Sequence, residues 1–260
     1  MSDNKDTNIK PASDAKAPDT KKAQVKNNDK NNLDSKYPTK RGFVGYFAFY
    51  AFSLFSEIVV NMKCIGRENF PTEAPYVVAS NHQSYPDGLW IAHYFPKGHF
   101  KKMCCLAASD LETSHGWLGR LIMKVGRGIA VDRYGNPVRG LIKAKKEVDK
   151  GDICLVFPEG TRSVDGQIGE MKDGASYLAI KANVPLVPIF ISGAYQVWPR
   201  SSRFMKPFKG FLRRKKMRVF VGEPMYGKDF DNDPRKMTAA FDAWIRDMHA
   251  KYYDPENAPR

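Results

Sequence analysis

Three short runs, residues 76–80, 153–157 and 186–191, are uncharged and apolar almost throughout, without the alternation of a half-exposed strand. Runs this short are strands rather than helices, and a strand that is apolar on both sides is covered on both faces, as inside a parallel sheet. Between and beyond them the apolar spacing is helical. Residues 87–95 present Leu89, Trp90, Ile91 and Tyr94; residues 136–150 present Val138, Leu141, Ile142 and Val148; residues 234–252 turn Met237, Phe241, Trp244 and Met248 inward. Residues 117–125 and 174–182 are also expected to be helical, and residues 101–107, 129–131 and 217–221 to be strands. Strands alternating with helices predict an α/β fold, a mixed, mostly parallel sheet flanked by helices. At 260 residues and 42% hydrophobic composition the chain can bury one sizeable core. It is read as a tail (1–41), an apolar segment (42–62) and one domain (63–260).

The first of these strands runs straight into Y-V-V-A-S-N-H-Q-S-Y-P-D, residues 76–87. Pro86 restricts Tyr85 to extended backbone and suits the first position of the helix that follows, so His82 and Asp87 flank one strand-to-helix turn. An imidazole acting as a base needs one nitrogen free and the other held by an acceptor, and Asp87 is placed to be that acceptor. Taken alone, the pair reads more readily as a strand-capping histidine and a carboxylate at a helix N-terminus.

Three further blocks decide between those readings: G-I-A-V-D-R at 128–133, V-F-P-E-G-T-R-S at 156–163 and V-P-L-V-P-I at 184–189. In this order and spacing, with N-H-Q-S-x-x-D, they resemble the glycerolipid acyltransferase family, the bacterial 1-acylglycerol-3-phosphate acyltransferases, over residues 65–225. The resemblance implies a glycerolipid acyltransferase-like fold in which His82 takes the proton from the sn-2 hydroxyl of lysophosphatidate. That oxygen attacks the thioester of acyl-CoA or acyl carrier protein directly, and Asp87 fixes the imidazole tautomer. Ser84 belongs to the same block and has a structural place in it. Arg133 and Arg162 offer planar forks suited to phosphate, with Gly160 giving close backbone approach and Thr161 a hydroxyl. Glu159 is expected to accept from the acceptor's glycerol or to hold Arg133 or Arg162, and Pro188 to serve the acyl chain or the structure. One departure stands out: a lysine common in an A-K-x-E-L-like stretch is missing from A-A-S-D-L at 107–111. The thioester oxyanion then needs another donor. Glycerol 3-phosphate or another lysophospholipid remains an alternative acceptor, and a catalytically silent lipid-binding module an alternative class.

The net charge of +14 favours anionic partners. Ten Lys or Arg against six Asp in residues 1–41 leave most of that excess on the remainder, and the tail's lack of large apolar residues predicts disorder. Residues 42–56 are uncharged and rich in aromatics, including Phe43 and Phe47, but 15 residues fall short of a span. The expected element is a membrane-associated helix dipping into one leaflet. Residues 200–218 hold nine Lys or Arg and no acid, among them Arg213, Arg214, Lys215 and Lys216, interleaved with Phe204, Phe208 and Phe211. That mixture suits anionic headgroups, so these residues are expected to face the membrane by charge, as Phe43 and Phe47 do by insertion. The expected location is the cytoplasmic face of the cell membrane, peripheral or monotopic, with membrane lipids as partners and no nucleic acid. Cys64, Cys104, Cys105 and Cys154 have no C-x-x-C spacing and the five histidines no metal-ligand spacing, so neither metal nor cofactor is expected.

Overall fold

In the computed structural model of the chain, residues 41–109, 111–131 and 138–254 are described. The disorder expected of residues 1–40, and the first two residues of the helix expected over 136–150, lie outside them. The described chain opens with helix α1 (Gly42–Val59), followed by strands β1 (Asn61–Ile65) and β2 (Val77–Ser80) and helices α2 (Asp87–His93) and α3 (His99–Lys102). Strand β3 (Met103–Ala108), helix α4 (Leu111–Val125), strand β4 (Gly128–Val131), helix α5 (Val138–Asp149) and strand β5 (Ile153–Val156) come next. Helix α6 (Gly174–Ala182), strand β6 (Leu186–Ser192) and the short helix α7 (Ala194–Val197) lead to a hairpin, β7 (Phe208–Lys209) and β8 (Arg213–Arg214). Strand β9 (Lys216–Val221) and helix α8 (Pro234–Tyr252) close the chain.

The sheet runs β1-β9-β6-β2-β5-β3-β4. Strands β2 to β6 are mutually parallel, while β9 pairs antiparallel with β6 and parallel with β1. This is the expected mixed, mostly parallel sheet. Side chains alternate between two cores: Tyr76, Val78, Leu155, Val187 and Ile189 on one face, Val77, Ala79, Cys154, Val156 and Phe190 on the other. Trp90, Ile91 and Phe100 belong to the first core, whereas Ala144, Leu178, Met237, Phe241 and Ile245 belong to the second, so helices cover both faces. Each fully buried large side chain contributes about 1.5–3 kcal/mol.

Three expectations about elements are corrected. Residues 101 and 102 are not strand: His99 and Phe100 are buried and Lys101 and Lys102 exposed, a helical rather than alternating pattern. His99 Nδ1 meets the Tyr76 hydroxyl at 2.9 Å. In α5 the buried face is Gly140, Ala144, Glu147 and Val148, while Val138 and Ile142 are exposed. The helix lies so close to β4 that a Cβ on Gly140 would sit 2.6 Å from Val131 Cγ2, so small residues form the contact and bulkier ones turn outward. Arg41 is no part of a loose tail. Its guanidinium donates to the carbonyls of Val125 (2.6 Å), Phe100 (2.5 Å) and Met103 (2.8 Å), which offsets the cost of burying it.

Helix α1 docks on the domain along Gly45, Phe49, Ser53 and Ser56. Phe49 stacks on Phe100 with centroids 3.6 Å apart, and Trp90 Nε1 donates to Ser56 Oγ. The rest of its circumference is exposed and apolar: Phe43 (85% exposed), Val44, Phe47, Tyr50, Leu54, Phe55 and Ile58. At 18 residues it is long and apolar enough to cross a membrane by length and composition, yet one stripe is held by the domain. Glu57, which interrupts the uncharged run, is paired with His93 Nε2 at 2.9 Å.

Candidate active site

Because β2 to β6 are parallel, the loops that leave their carboxyl ends converge on one edge of the sheet, where open α/β sheets place ligands. The loop after β2 carries Asn81, His82, Gln83 and Ser84, and each is pinned. The Asn81 amide donates to Ile191 O at 3.0 Å and accepts from Ile191 N at 2.8 Å, extending the β2–β6 ladder through a side chain. His82 O accepts from Ser163 N at 2.7 Å. Gln83 Nε2 donates to Gly166 O and its Oε1 accepts from Tyr195 N. The turn that presents His82 is therefore rigid before any ligand arrives.

Asp87, fully buried at the start of α2, places Oδ2 2.9 Å from His82 Nδ1. The same oxygen accepts from the backbone N–H groups of Gln83 (2.6 Å) and Ser84 (2.7 Å). An acceptor at Nδ1 selects the tautomer with a proton there and leaves Nε2 as the basic nitrogen. The ring stacks on Phe157 with centroids 4.0 Å apart and borders a cavity of about 540 Å³. The Ser84 hydroxyl instead donates to Trp198 O at 2.8 Å.

One end of the cavity is cationic, lined by Arg162, Lys172 and Arg200 with Gly160 and Thr161; the remainder is largely apolar, lined by Met103, Cys105, Leu106, Ile122, Met123 and Leu141. Gly160 sits at φ 69°, the left-handed region that favours glycine, and a Cβ there would lie 3.1 Å from Lys172 Nζ. The Arg162 guanidinium lies 3.3 Å over the Tyr85 ring, and its buried NH1 has no hydrogen-bond partner among the described residues. Burial holds its pKa below the ordinary value. Arg200 donates to Thr161 Oγ1 at 3.4 Å and Arg162 O at 3.3 Å. Burial pushes the Cys105 thiol up to about 12, so it presents no thiolate to the cavity at neutral pH.

The structure brings together His82, Asp87, Gly160, Thr161 and Arg162; Arg133 lies outside the described residues. Glu159 sits beside them, its carboxylate accepting from the backbone N–H groups of His82 and Gly169. Pro188 is buried in β6, paired with Ala79, away from the cavity lining. Lys172 and Arg200 were missed as cavity residues. Neither lies in a motif block, and only the fold carries them to the loop at Gly160. Of the basic residues expected to face the membrane, Arg213 and Arg214 are exposed, whereas Lys215 and Lys216 are half-buried and Lys215 Nζ donates to Gln196 O at 2.7 Å.

The acyltransferase family model matches residues 61–192. A 1-acyl-sn-glycerol-3-phosphate acyltransferase of Bacillus subtilis is 30% identical over 73% of this chain and 89% of its own length. One from Pseudomonas aeruginosa is 31% identical over 72% and 68%, and a chloroplast enzyme of that name from Brassica napus 32% identical over 64% and 45%. The chain thus spans about half the length of the chloroplast relatives it matches. The crystal structure of the 1-acyl-sn-glycerophosphate acyltransferase of Thermotoga maritima shares the fold, with a TM-score of 0.62 at 22% identity over 94% of this chain and 85% of that one. With a family match over half the chain and bacterial relatives aligned over most of their own length, the chain belongs to the acyltransferase family.

Proposed function

We propose that the protein transfers a fatty acyl group from acyl-CoA or acyl carrier protein to the sn-2 hydroxyl of lysophosphatidate, giving phosphatidate. The observation that carries this reading is one cavity that joins an oriented imidazole, a cationic end and an apolar remainder. The acceptor's phosphate lies against Arg162, Lys172 and Arg200, with the acyl chain along Met103, Leu106, Ile122 and Met123. His82 Nε2 takes the hydroxyl proton as the acceptor oxygen attacks the thioester carbonyl. Collapse of the tetrahedral intermediate expels the thiolate, which recovers the proton from the imidazolium that Asp87 stabilises. Direct attack fits a Ser84 hydroxyl committed to a backbone carbonyl. The substrate is an amphiphile, and α1, with its exposed apolar face, holds the enzyme on a membrane as a monotopic anchor.

Purified protein supplied with lysophosphatidate, lysophosphatidylcholine, monoacylglycerol and glycerol 3-phosphate, each with either donor, tests this by mass spectrometry. Phosphatidate formed from lysophosphatidate in clear preference is the expected result. Preference for glycerol 3-phosphate would move the acceptor, and no product from any pair would leave a lipid-binding module.

A further inference from the structure

The segment between α7 and β9 connects the cavity to α1. At its start Trp198 O accepts from Ser84 Oγ, and Arg200 reaches the carbonyl of Arg162. At its end Arg214 donates to the carbonyls of Glu57 (2.9 Å) and Ile58 (3.3 Å), which fall among the last four of α1 and have no intrahelical partner. Between these attachments the chain makes a two-rung hairpin, Phe208 opposite Arg214 and Lys209 opposite Arg213, with Gly210, Phe211 and Leu212 at its tip.

That tip runs against ordinary surface chemistry. Phe211 is 95% exposed and Leu212 67%. Leu212 also adopts φ 57°, a conformation that glycine or asparagine takes more readily, so neither its backbone nor its side chain is favoured by the fold alone. Lys209, Arg213 and Arg214 stand behind the tip. Apolar side chains ahead of a collar of cations match the layering of a bilayer surface, with acyl chains beneath anionic headgroups. The Arg214 contacts join the base of this hairpin to the C-terminal end of α1, where Leu54, Phe55 and Ile58 are exposed.

We propose that the hairpin of residues 208–214 is a second membrane anchor, inserting Phe211 and Leu212 at the headgroup–acyl boundary of an anionic bilayer. The bilayer surface is thereby brought to the cationic end of the cavity, where the same segment supplies Arg200. This rests on the reading that α1 is membrane-embedded and that the acceptor is a membrane lipid. It changes the expected role of the basic segment, which binds by insertion as well as by charge.

The test compares the full chain, a Phe211→Ser/Leu212→Gly variant and a Phe43→Ser/Phe47→Ser variant on vesicles with and without phosphatidylglycerol. The hairpin variant should bind anionic vesicles at least about tenfold more weakly and show a raised KM for long-chain lysophosphatidate presented in them. Its kcat/KM on a short-chain, water-soluble lysophosphatidate should be unchanged, which also shows that it is folded. Unaltered vesicle binding, with binding lost in the α1 variant, would overturn the hairpin anchor and leave the α1 reading intact. Unaltered binding in both would overturn both. Equal losses on soluble and vesicle acceptors would place the hairpin in the cavity's architecture instead. Independently, in a Phe211→Trp variant the emission, after subtraction of the parent's, should shift to the blue on anionic vesicles and be quenched by brominated acyl chains; emission that ignores the vesicles overturns the proposal.

Discussion

Glu159 Oε1 accepts the backbone N–H of His82 at 2.8 Å while its Oε2 accepts that of Gly169 at 3.0 Å. A carboxylate in a cationic site is expected to steady an arginine or a hydroxyl; here it ties the base-bearing turn to the loop after β5. We propose that Glu159 is a positioning residue.

Burial raises the Glu159 carboxyl from 4.5 to about 7, against the two N–H donors that pull it down. Because the folded pKa is the higher one, the group's contribution to stability is fully present below about pH 4.5 and is lost as pH rises through about 7. The whole window is on the order of 3 kcal/mol. Glu159→Gln should abolish that slope in urea unfolding followed from pH 4 to 8. It should also lower kcat, because an amide nitrogen then faces one of the two N–H groups and a buried hydrogen bond worth about 1–3 kcal/mol is lost. A wild-type slope in the variant would show that another group titrates.

The roles proposed for His82, Asp87 and Ser84 separate cleanly by mutation. His82→Ala should lower kcat by about 100-fold or more with folding and vesicle binding intact. Asp87→Asn should cost at least about tenfold, since a neutral amide can keep the bonds to Gln83 N and Ser84 N but stabilises the imidazolium poorly. Ser84→Ala should cost far less, its hydroxyl being held by Trp198 O. A Ser84→Ala loss equal to that of His82→Ala, with labelled acyl chain bound covalently to wild type, would instead establish a serine acyl-enzyme.

What could be read from the sequence follows the range of the forces involved. The strands at 77–80, 153–156 and 186–192 were legible because a strand buried on both faces must be apolar throughout. His82 and Asp87 were legible as neighbours because five residues across a strand-to-helix turn bring them together locally. Glu159 was not, because its two partners are backbone N–H groups and leave no side-chain signature. The α5 face misled because Gly140 and Ala144 make the contact, so the larger apolar residues marked the wrong side. Lys172 gave no signal of its own and Arg200 was legible only as part of the basic segment 200–218, since exposed cations are abundant in this chain and only tertiary structure sets these two beside Arg162.

For that trio the expected outcome is a rise in KM for lysophosphatidate with the donor's KM spared. Arg162→Ala should show the largest effect, on the order of 2–3 kcal/mol, because its half-buried guanidinium lines the cavity and a charge-assisted contact to phosphate is lost with it. Arg200→Gln and Lys172→Gln, both exposed, should each cost less, and Arg162→Lys should rescue only part, having lost the planar fork. Steady-state kinetics with each substrate varied in turn checks this. Unchanged acceptor KM in a folded Arg162→Ala variant would make the arginine structural.

The apolar part of the cavity sets the last prediction. Gly128, at the start of β4, and Met123, in α4, both line it, and a Cβ on Gly128 would lie 2.5 Å from Met123 Sδ and 3.3 Å from its Cα. The thioether is the movable partner and the helix backbone the fixed one, so Gly128→Ala should displace the Met123 side chain and shorten the space left for an acyl chain. With the catalytic loop untouched, kcat on short-chain donors should stay near wild type, while kcat/KM on long-chain donors falls by about tenfold, the effect of roughly two methylenes denied burial. Competition between donors of graded length, read by mass spectrometry of the phosphatidate formed, measures the shift. A uniform loss at all lengths would mean that the methyl disturbs the packing of α4 on the sheet rather than the length of the cavity.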